Sequence, residues 1–155
     1  MAKFKKREPL NNLSASLENY LETIAMLKRE KKYTRIGDIA KSLKVKSSSV
    51  NTAIKFLAEN NLVIHEKYGY VDLTCQGETL ALEVQKKHDI LYDFLNELLF
   101  VNDKVADQEA CDIEHSIGLE TVHKIERLHL LLKRYFLKNE EDILNLKNYL
   151  EEWNK

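Results

Sequence analysis

Residues 35–59 read RIGDIAKSLKVKSSSVNTAIKFLAE. Ile36, Ile39, Ala40 and Leu43 recur at helical spacing, and Val50, Ile54 and Leu57 do so again after a gap. Lys44-Val45-Lys46 interrupts the pattern. The stretch therefore predicts a short helix over 35–42, a turn, and a second helix over 47–59, which is a helix-turn-helix. The outward residues of the second helix are Ser48, Ser49, Asn51, Thr52 and Lys55. Small polar side chains let a helix backbone approach a DNA groove, and Ser, Thr and Asn can donate to phosphates or base edges. With Ser47, Lys46 and Arg35 at its edges, this face is the expected DNA contact. A helical hairpin with no nucleic-acid role is the plain alternative.

Residues 62–67 and 70–73 follow as two strands rich in β-branched and aromatic residues, with Tyr68-Gly69 as the turn. They form the wing of a winged helix-turn-helix, and Lys67 near its tip is placed to meet a duplex backbone. Upstream, Leu17, Tyr20, Leu21, Ile24 and Leu27 give helix 1 (17–30) an apolar stripe, with Ser16 as its cap. Residues 1–13 read as a flexible basic arm, in which Lys3, Lys5, Lys6 and Arg7 could touch phosphates. The DNA-binding domain is thus expected over 14–76.

Residues 77–155 read as helical throughout. Thr74 offers a cap to a long helix over 77–99, and Cys75 reads as a small turn residue without a role. Leu80, Val84, Leu91, Leu95 and Leu98 line one face of that helix, and His88 falls in the same row. Helices over 105–117, 120–137 and 140–153 follow, with Gly118 as a stop and Asn139 as a cap. Their apolar stripes exceed what one short chain can bury, which argues for a homodimer.

Composition agrees with this organisation. The chain has 155 residues, 44% of them hydrophobic, with 4 glycines and 1 proline, so a mainly helical, packed fold is expected. Residues 1–75 carry 14 Lys/Arg against 8 Asp/Glu, and residues 76–155 carry 10 against 17. A basic half followed by an acidic half suits a DNA reader joined to a part with another task. Two cysteines make no disulfide framework. No apolar run reaches the roughly 18 residues of a membrane span, and the N-terminus lacks a signal-like apolar stretch, so a cytoplasmic protein without membrane contact is expected. The absence of H-E-x-x-H, a nucleophile elbow and a glycine-rich phosphate loop argues against an enzyme.

Cys111-Asp112-Ile113-Glu114-His115 offers metal-ligand chemistry, the plain alternative being a buried cysteine beside two surface polar groups. Positions i, i+3 and i+4 put a thiol, a carboxylate and an imidazole on one helical face. A thiolate beside a carboxylate is costly to bury unless a cation neutralises both. Further ligands must come from elsewhere, and His88 and Glu22 are the candidates. Asn19 and Glu22 share a strip of helix 1, where they read locally as ordinary surface. Mixed S, N and O donors fit divalent iron, zinc, cobalt or nickel, and manganese less well.

The sequence resembles the diphtheria toxin repressor family of metal-dependent regulators from about Ser16 to about Leu137. The stretches that carry the likeness are Ser16-Leu-Glu-Asn-Tyr-Leu-Glu-Thr-Ile, Ile39-Ala-Lys-Ser-Leu, Ser48-Ser-Val, Leu73-Thr-x-x-Gly77, Lys87-His-Asp-Ile-Leu and Glu109-Ala-Cys-Asp-Ile-Glu-His115. In length the chain is similar to the short manganese-type members, without the SH3-like domain of the larger iron-type ones. The resemblance implies a homodimeric repressor that binds double-stranded operator DNA with Fe²⁺ or Mn²⁺ as corepressor. It implies His88, Cys111, Glu114 and His115 as ligands, and Glu22 as a ligand of manganese-type members. Asn19 stands where iron-type members have Met and manganese-type members Asp. Tyr92 and Asp107 stand where iron-type members have an ancillary Glu and His. Cys111 is the iron-type choice. The site is a hybrid, and its thiolate favours iron, while Zn²⁺, Co²⁺ or Ni²⁺ could bind in vitro. The rival reading is a winged-helix repressor gated by a small organic ligand, similar to the multiple-antibiotic-resistance (MarR-like) regulators, which share Leu-Thr-x-x-Gly after the wing.

Overall fold

The computed structural model describes residues 13–31, 33–66 and 69–152. The expected basic arm, apart from Leu13, and the wing-tip residues Lys67 and Tyr68 lie outside them. Contacts divide the chain into two compact units, one ending at Leu80 and one beginning at Ala81.

In the N-terminal unit the order is α1 (Ala15–Glu30), β1 (Thr34–Arg35), α2 (Ile36–Ser42), α3 (Ser47–Glu59), β2 (Val63–His65) and β3 (Tyr70–Leu73). Helix α1 starts earlier than expected. Ser14, not Ser16, is the N-cap, and its carbonyl accepts from Leu17 and Glu18. Helix α2 begins at Ile36 because Asp38 accepts the Arg35 main-chain N–H at 3.3 Å, which leaves Arg35 in an extended cap conformation. Lys44 has φ 53°, and this left-handed residue turns the chain from α2 into α3. The helix-turn-helix residues Ile39, Val50, Ile54 and Leu57 are fully buried with Leu21 and Ile24 of α1. Burying each such side chain contributes about 1.5–3 kcal/mol, and Leu62, Val63, Val71 and Leu73 extend the same buried set to the wing.

The wing has a strand that the sequence pattern did not reveal. The sheet order is β1-β3-β2, all antiparallel, with Thr34 opposite Val71, Arg35 opposite Tyr70, and Val63 opposite Leu73. Two residues are too few for a period-2 signal, so β1 was invisible. Gly69 has φ 79°, a conformation that suits glycine at the wing turn.

Thr74 and Gly77 join the wing to the next helix. The Thr74 hydroxyl donates to Asn61 O (2.7 Å) and accepts from Gly77 N (3.0 Å), while Thr74 N donates to Leu62 O (3.0 Å). Cys75 is the first residue of a helix and not part of a turn. Helix α4 spans Cys75–Asp93 and runs on through a π-helical turn, Phe94–Leu98, in place of a uniform helix to residue 99.

The C-terminal unit continues with α5 (Asp103–Glu114), α6 (Leu119–Tyr135) and α7 (Glu140–Glu152). Asn102 caps α5 by accepting from Lys104 N at 3.2 Å, and Asn139 accepts from Asp142 N at 2.9 Å. Its buried residues include Val84, Ile90, Leu91, Leu98, Ala106, Ala110 and Val122. Helices α6 and α7 keep little of their apolar surface from solvent: Phe136 is 61% and Tyr149 68% exposed. None of the described helices is long and apolar enough to cross a membrane.

Candidate metal centre and nucleic-acid interface

Helix α5 ends at Glu114, with His115 as its C-cap, so the expected helical spacing holds for Cys111 and Glu114 and survives in His115, which keeps helical backbone angles. Cys111 Sγ, a Glu114 oxygen and a His115 ring nitrogen all lie within 4.8 Å of one another. Glu114 is 1% exposed. Its Oε2 faces His88 Nδ1 at 3.0 Å and its Oε1 faces His115 Nε2 at 3.3 Å. His88 Nε2 faces Asp107 at 3.3 Å, and Asp107 itself is largely exposed.

A carboxylate this deeply buried needs positive charge beside it. His88 is the neighbour that can supply it: its pKa is raised above the usual 6.5, first by the hydrogen bond to Glu114, against the opposing effect of burial, and then by the charges of Glu114 and Asp107. The donor set of one sulfur, imidazole nitrogens and carboxylate oxygens fits a borderline divalent ion.

Two opposite pH dependences follow. Since its folded pKa is raised, His88 stabilises the metal-free unit below about pH 6.5, and that contribution is lost as pH rises through the raised value. Metal affinity runs the other way, because ligands must shed protons to bind. Mn²⁺ titrations by calorimetry between pH 6 and 8 should show affinity rising with pH and protons released. A flat profile would remove His88 from the site.

Asn19 and Glu22, by contrast, lie on α1 in the N-terminal unit, both half-buried. One contact was not foreseen: Lys87 Nζ donates to the main-chain carbonyl of Glu114 at 2.9 Å. It places a cation at the C-terminal end of α5, where the helix dipole is negative. No sequence pattern signals it, since the acceptor is backbone 27 residues away.

On the other unit, Lys46, Ser47, Ser48, Ser49, Asn51, Thr52 and Lys55 are all exposed, as is Arg35. Asn51 Nδ2 donates to Ser47 O (2.9 Å) and Thr52 Oγ1 to Ser48 O (3.1 Å), so both fold back on their own helix. They must rotate outward to reach a base. Asn51, Lys55, Ala58 and Glu59 of α3 share an open cleft of about 550 Å³ with His65 of β2. His65, which read only as a strand residue, therefore borders the same face.

A winged helix joined to a helical unit that carries a sulfur, nitrogen and oxygen cluster around a buried carboxylate defines a metal-responsive DNA-binding regulator. Comparison with known proteins gives the same class. Residues 12–71 match the family model described as iron dependent repressor, N-terminal DNA binding domain, and residues 74–140 match that described as iron dependent repressor, metal binding and dimerisation domain. The HTH-type transcriptional regulator MntR of Shouchella clausii is 33% identical over 132 residues, 85% of this chain and 89% of that protein. Among solved structures, IdeR of T. acidophilum superposes with a TM-score of 0.64 at 30% identity, over 72% of this chain and 53% of that one. A manganese-dependent transcriptional repressor solved with manganese gives 0.67 at 26%, over 73% and 52%. The chain spans about half the length of these two structures.

The chain belongs to the iron-dependent repressor family of metal-dependent transcriptional regulators. The MarR-like alternative is not supported: both halves match a family whose second domain is described as metal binding. The relatives are described as transcriptional regulators.

Proposed function

We propose that the protein binds operator DNA in the cytoplasm as a homodimer, and represses, when a divalent cation is held by Cys111, Glu114, His115 and His88, with Glu22 of the N-terminal unit as a further ligand. Asn19 and Asp107 offer additional oxygens. The observation that carries this reading is the nearly inaccessible Glu114 carboxylate flanked by two imidazoles and a thiol. When bound, the cation supplies the positive charge that lets thiolate and carboxylate share one buried point. Deprotonated Cys111 and Glu114 would otherwise repel one another there. Glu22 draws its role from the resemblance, as a carboxylate from the reading head added to donors on the helical unit.

The corepressor is Fe²⁺ or Mn²⁺. Sulfur at position 111 favours iron over manganese, and Zn²⁺, Co²⁺ and Ni²⁺ should bind purified protein as the usual affinity order dictates. Cobalt gives the test. Co²⁺-loaded protein should show thiolate-to-cobalt absorption in the near ultraviolet that Cys111→Ser removes. Cobalt bound with no such band would place the sulfur outside the site.

Leu130, Leu131, Tyr135, Phe136 and Leu144 lie exposed on α6 and after it. That apolar surface supports a second copy of the chain as its cover. In such a dimer the two recognition helices would address half-sites about one duplex turn, roughly 34 Å, apart. Lys55 is exposed on α3 and suited to a phosphate. Lys55→Ala should weaken duplex binding for all sequences and lower the salt slope by about one unit. An unchanged slope in a salt titration would exclude Lys55 from the phosphate contacts.

A further inference from the structure

Arg35 sits at the junction of β1 and α2, anchored at several points. Its main-chain N–H is held by Asp38, whose carboxylate also pairs with Lys31 at 2.6 Å. Across the sheet it lies directly opposite Tyr70. Its Nη2 donates to the Tyr70 hydroxyl at 2.9 Å, and its guanidinium carbon is 5.0 Å from the Tyr70 ring centroid. The Tyr70 ring in turn packs against Tyr33, with centroids 5.0 Å apart at 43°.

An exposed arginine loses more rotamer freedom than most side chains when it is fixed by a partner. Here that freedom is already restricted, yet Arg35 remains exposed. A guanidinium has five N–H donors, and the tyrosine hydroxyl takes one. The others remain for an acceptor outside the chain. The acceptor that suits a planar fork beside a DNA-reading helix pair is a phosphate.

We propose that Tyr70, seated on Tyr33, is a positioning residue that holds the Arg35 guanidinium ready for a backbone phosphate of bound duplex. The proposal rests on the reading of the winged helix as a duplex-binding unit. It adds that the wing contributes to affinity through a residue that never touches DNA. A cross-strand Tyr–Arg pair also steadies the wing, so the test must read DNA contacts as well as folding.

The experiment uses the full-length, Mn²⁺-loaded protein and a fluorescent duplex of random sequence, with anisotropy measured over a salt series. Arg35→Ala should weaken binding about tenfold and lower the salt slope by about one. Arg35→Lys should keep the slope but weaken binding, because lysine carries the charge without the fork. Tyr70→Phe, which retains the ring, should weaken binding about threefold with the slope unchanged. In the Arg35→Ala background the same substitution should have no effect. Thermal melting of each variant separates loss of the wing from loss of the contact.

Tyr70→Phe binding like wild type, or weakening both backgrounds equally, would overturn the positioning role. So would an Arg35→Ala slope identical to wild type. Wild-type protein that fails to bind the duplex at all would sink the duplex-binding reading together with this one, whereas the variant outcomes bear on Arg35 and Tyr70 alone.

Discussion

Gly77→Ala is expected to unfold the N-terminal unit or to destabilise it severely. A Cβ built at Gly77 would lie 1.9 Å from the carbonyl oxygen of Leu62 and 2.9 Å from its carbon. Those are backbone atoms, so no side chain can rotate away. Leu62 O also accepts from Thr74 N at 3.0 Å, which ties the carbonyl to the start of α4. Relief therefore requires moving the helix off the strand-entry loop and breaking the Thr74 cap. Alanine would gain about 1 kcal/mol in helix propensity, but the displacement should cost about 3 kcal/mol or more. Chemical denaturation followed by circular dichroism checks this. A variant as stable as wild type would mean that α4 does not approach Leu62 as described. Leu-Thr-x-x-Gly after the wing thus has a packing explanation: threonine caps, and glycine admits the carbonyl.

The second large effect concerns Glu114. Glu114→Gln keeps the shape and still accepts from or donates to the flanking imidazoles, but it carries no charge. With the carboxylate gone, a bound cation loses the most deeply buried of its compensating charges, and the Cys111 thiolate must offset it with less help. Metal affinity should drop by at least about a hundredfold, beyond what loss of a supporting hydrogen bond costs. The fold should persist, because a neutral amide is easier to bury than a lone carboxylate. His115→Ala should likewise abolish the metal response while leaving folded protein. Calorimetry with Mn²⁺ and anaerobic Fe²⁺, paired with thermal melting, reads both quantities. Wild-type affinity in either variant would remove that residue from the ligand set.

How much of this was legible in the sequence depends on the range of the signal. Helix α3 was readable to its ends because an uninterrupted 3.6-residue pattern runs from Ser47 to Glu59 between a lysine turn and Asn60. Helix α1 was readable in its face but not in its start, since Ser14 and Ser16 are equally good caps on composition. The two-residue β1 and the π-helical turn at Phe94–Leu98 left no periodic trace. The turn at Phe100, with φ 56°, occurs at a residue that rarely adopts that region, so nothing local announces it.

At the site, Cys111, Glu114 and His115 were legible because one helical turn brings them together. The attachment of His88 to Glu114, 26 residues away, is set by how α4 meets α5, which spacing alone does not specify. The same holds for Tyr70 over Arg35, a product of sheet register across 35 residues. Resemblance to a family supplied His88 where physical reading of the chain could only nominate it.

The most direct test of metal gating is operator affinity with and without the ion. A duplex selected by the Mn²⁺-loaded protein from a random pool would be titrated by anisotropy in chelator, then with Mn²⁺ or anaerobic Fe²⁺. About 3 kcal/mol of coupling corresponds to a roughly hundredfold change. Binding should be weak in chelator, recover on adding either metal, and fail to recover in Glu114→Gln. Equal affinity in chelator and in metal would contradict it.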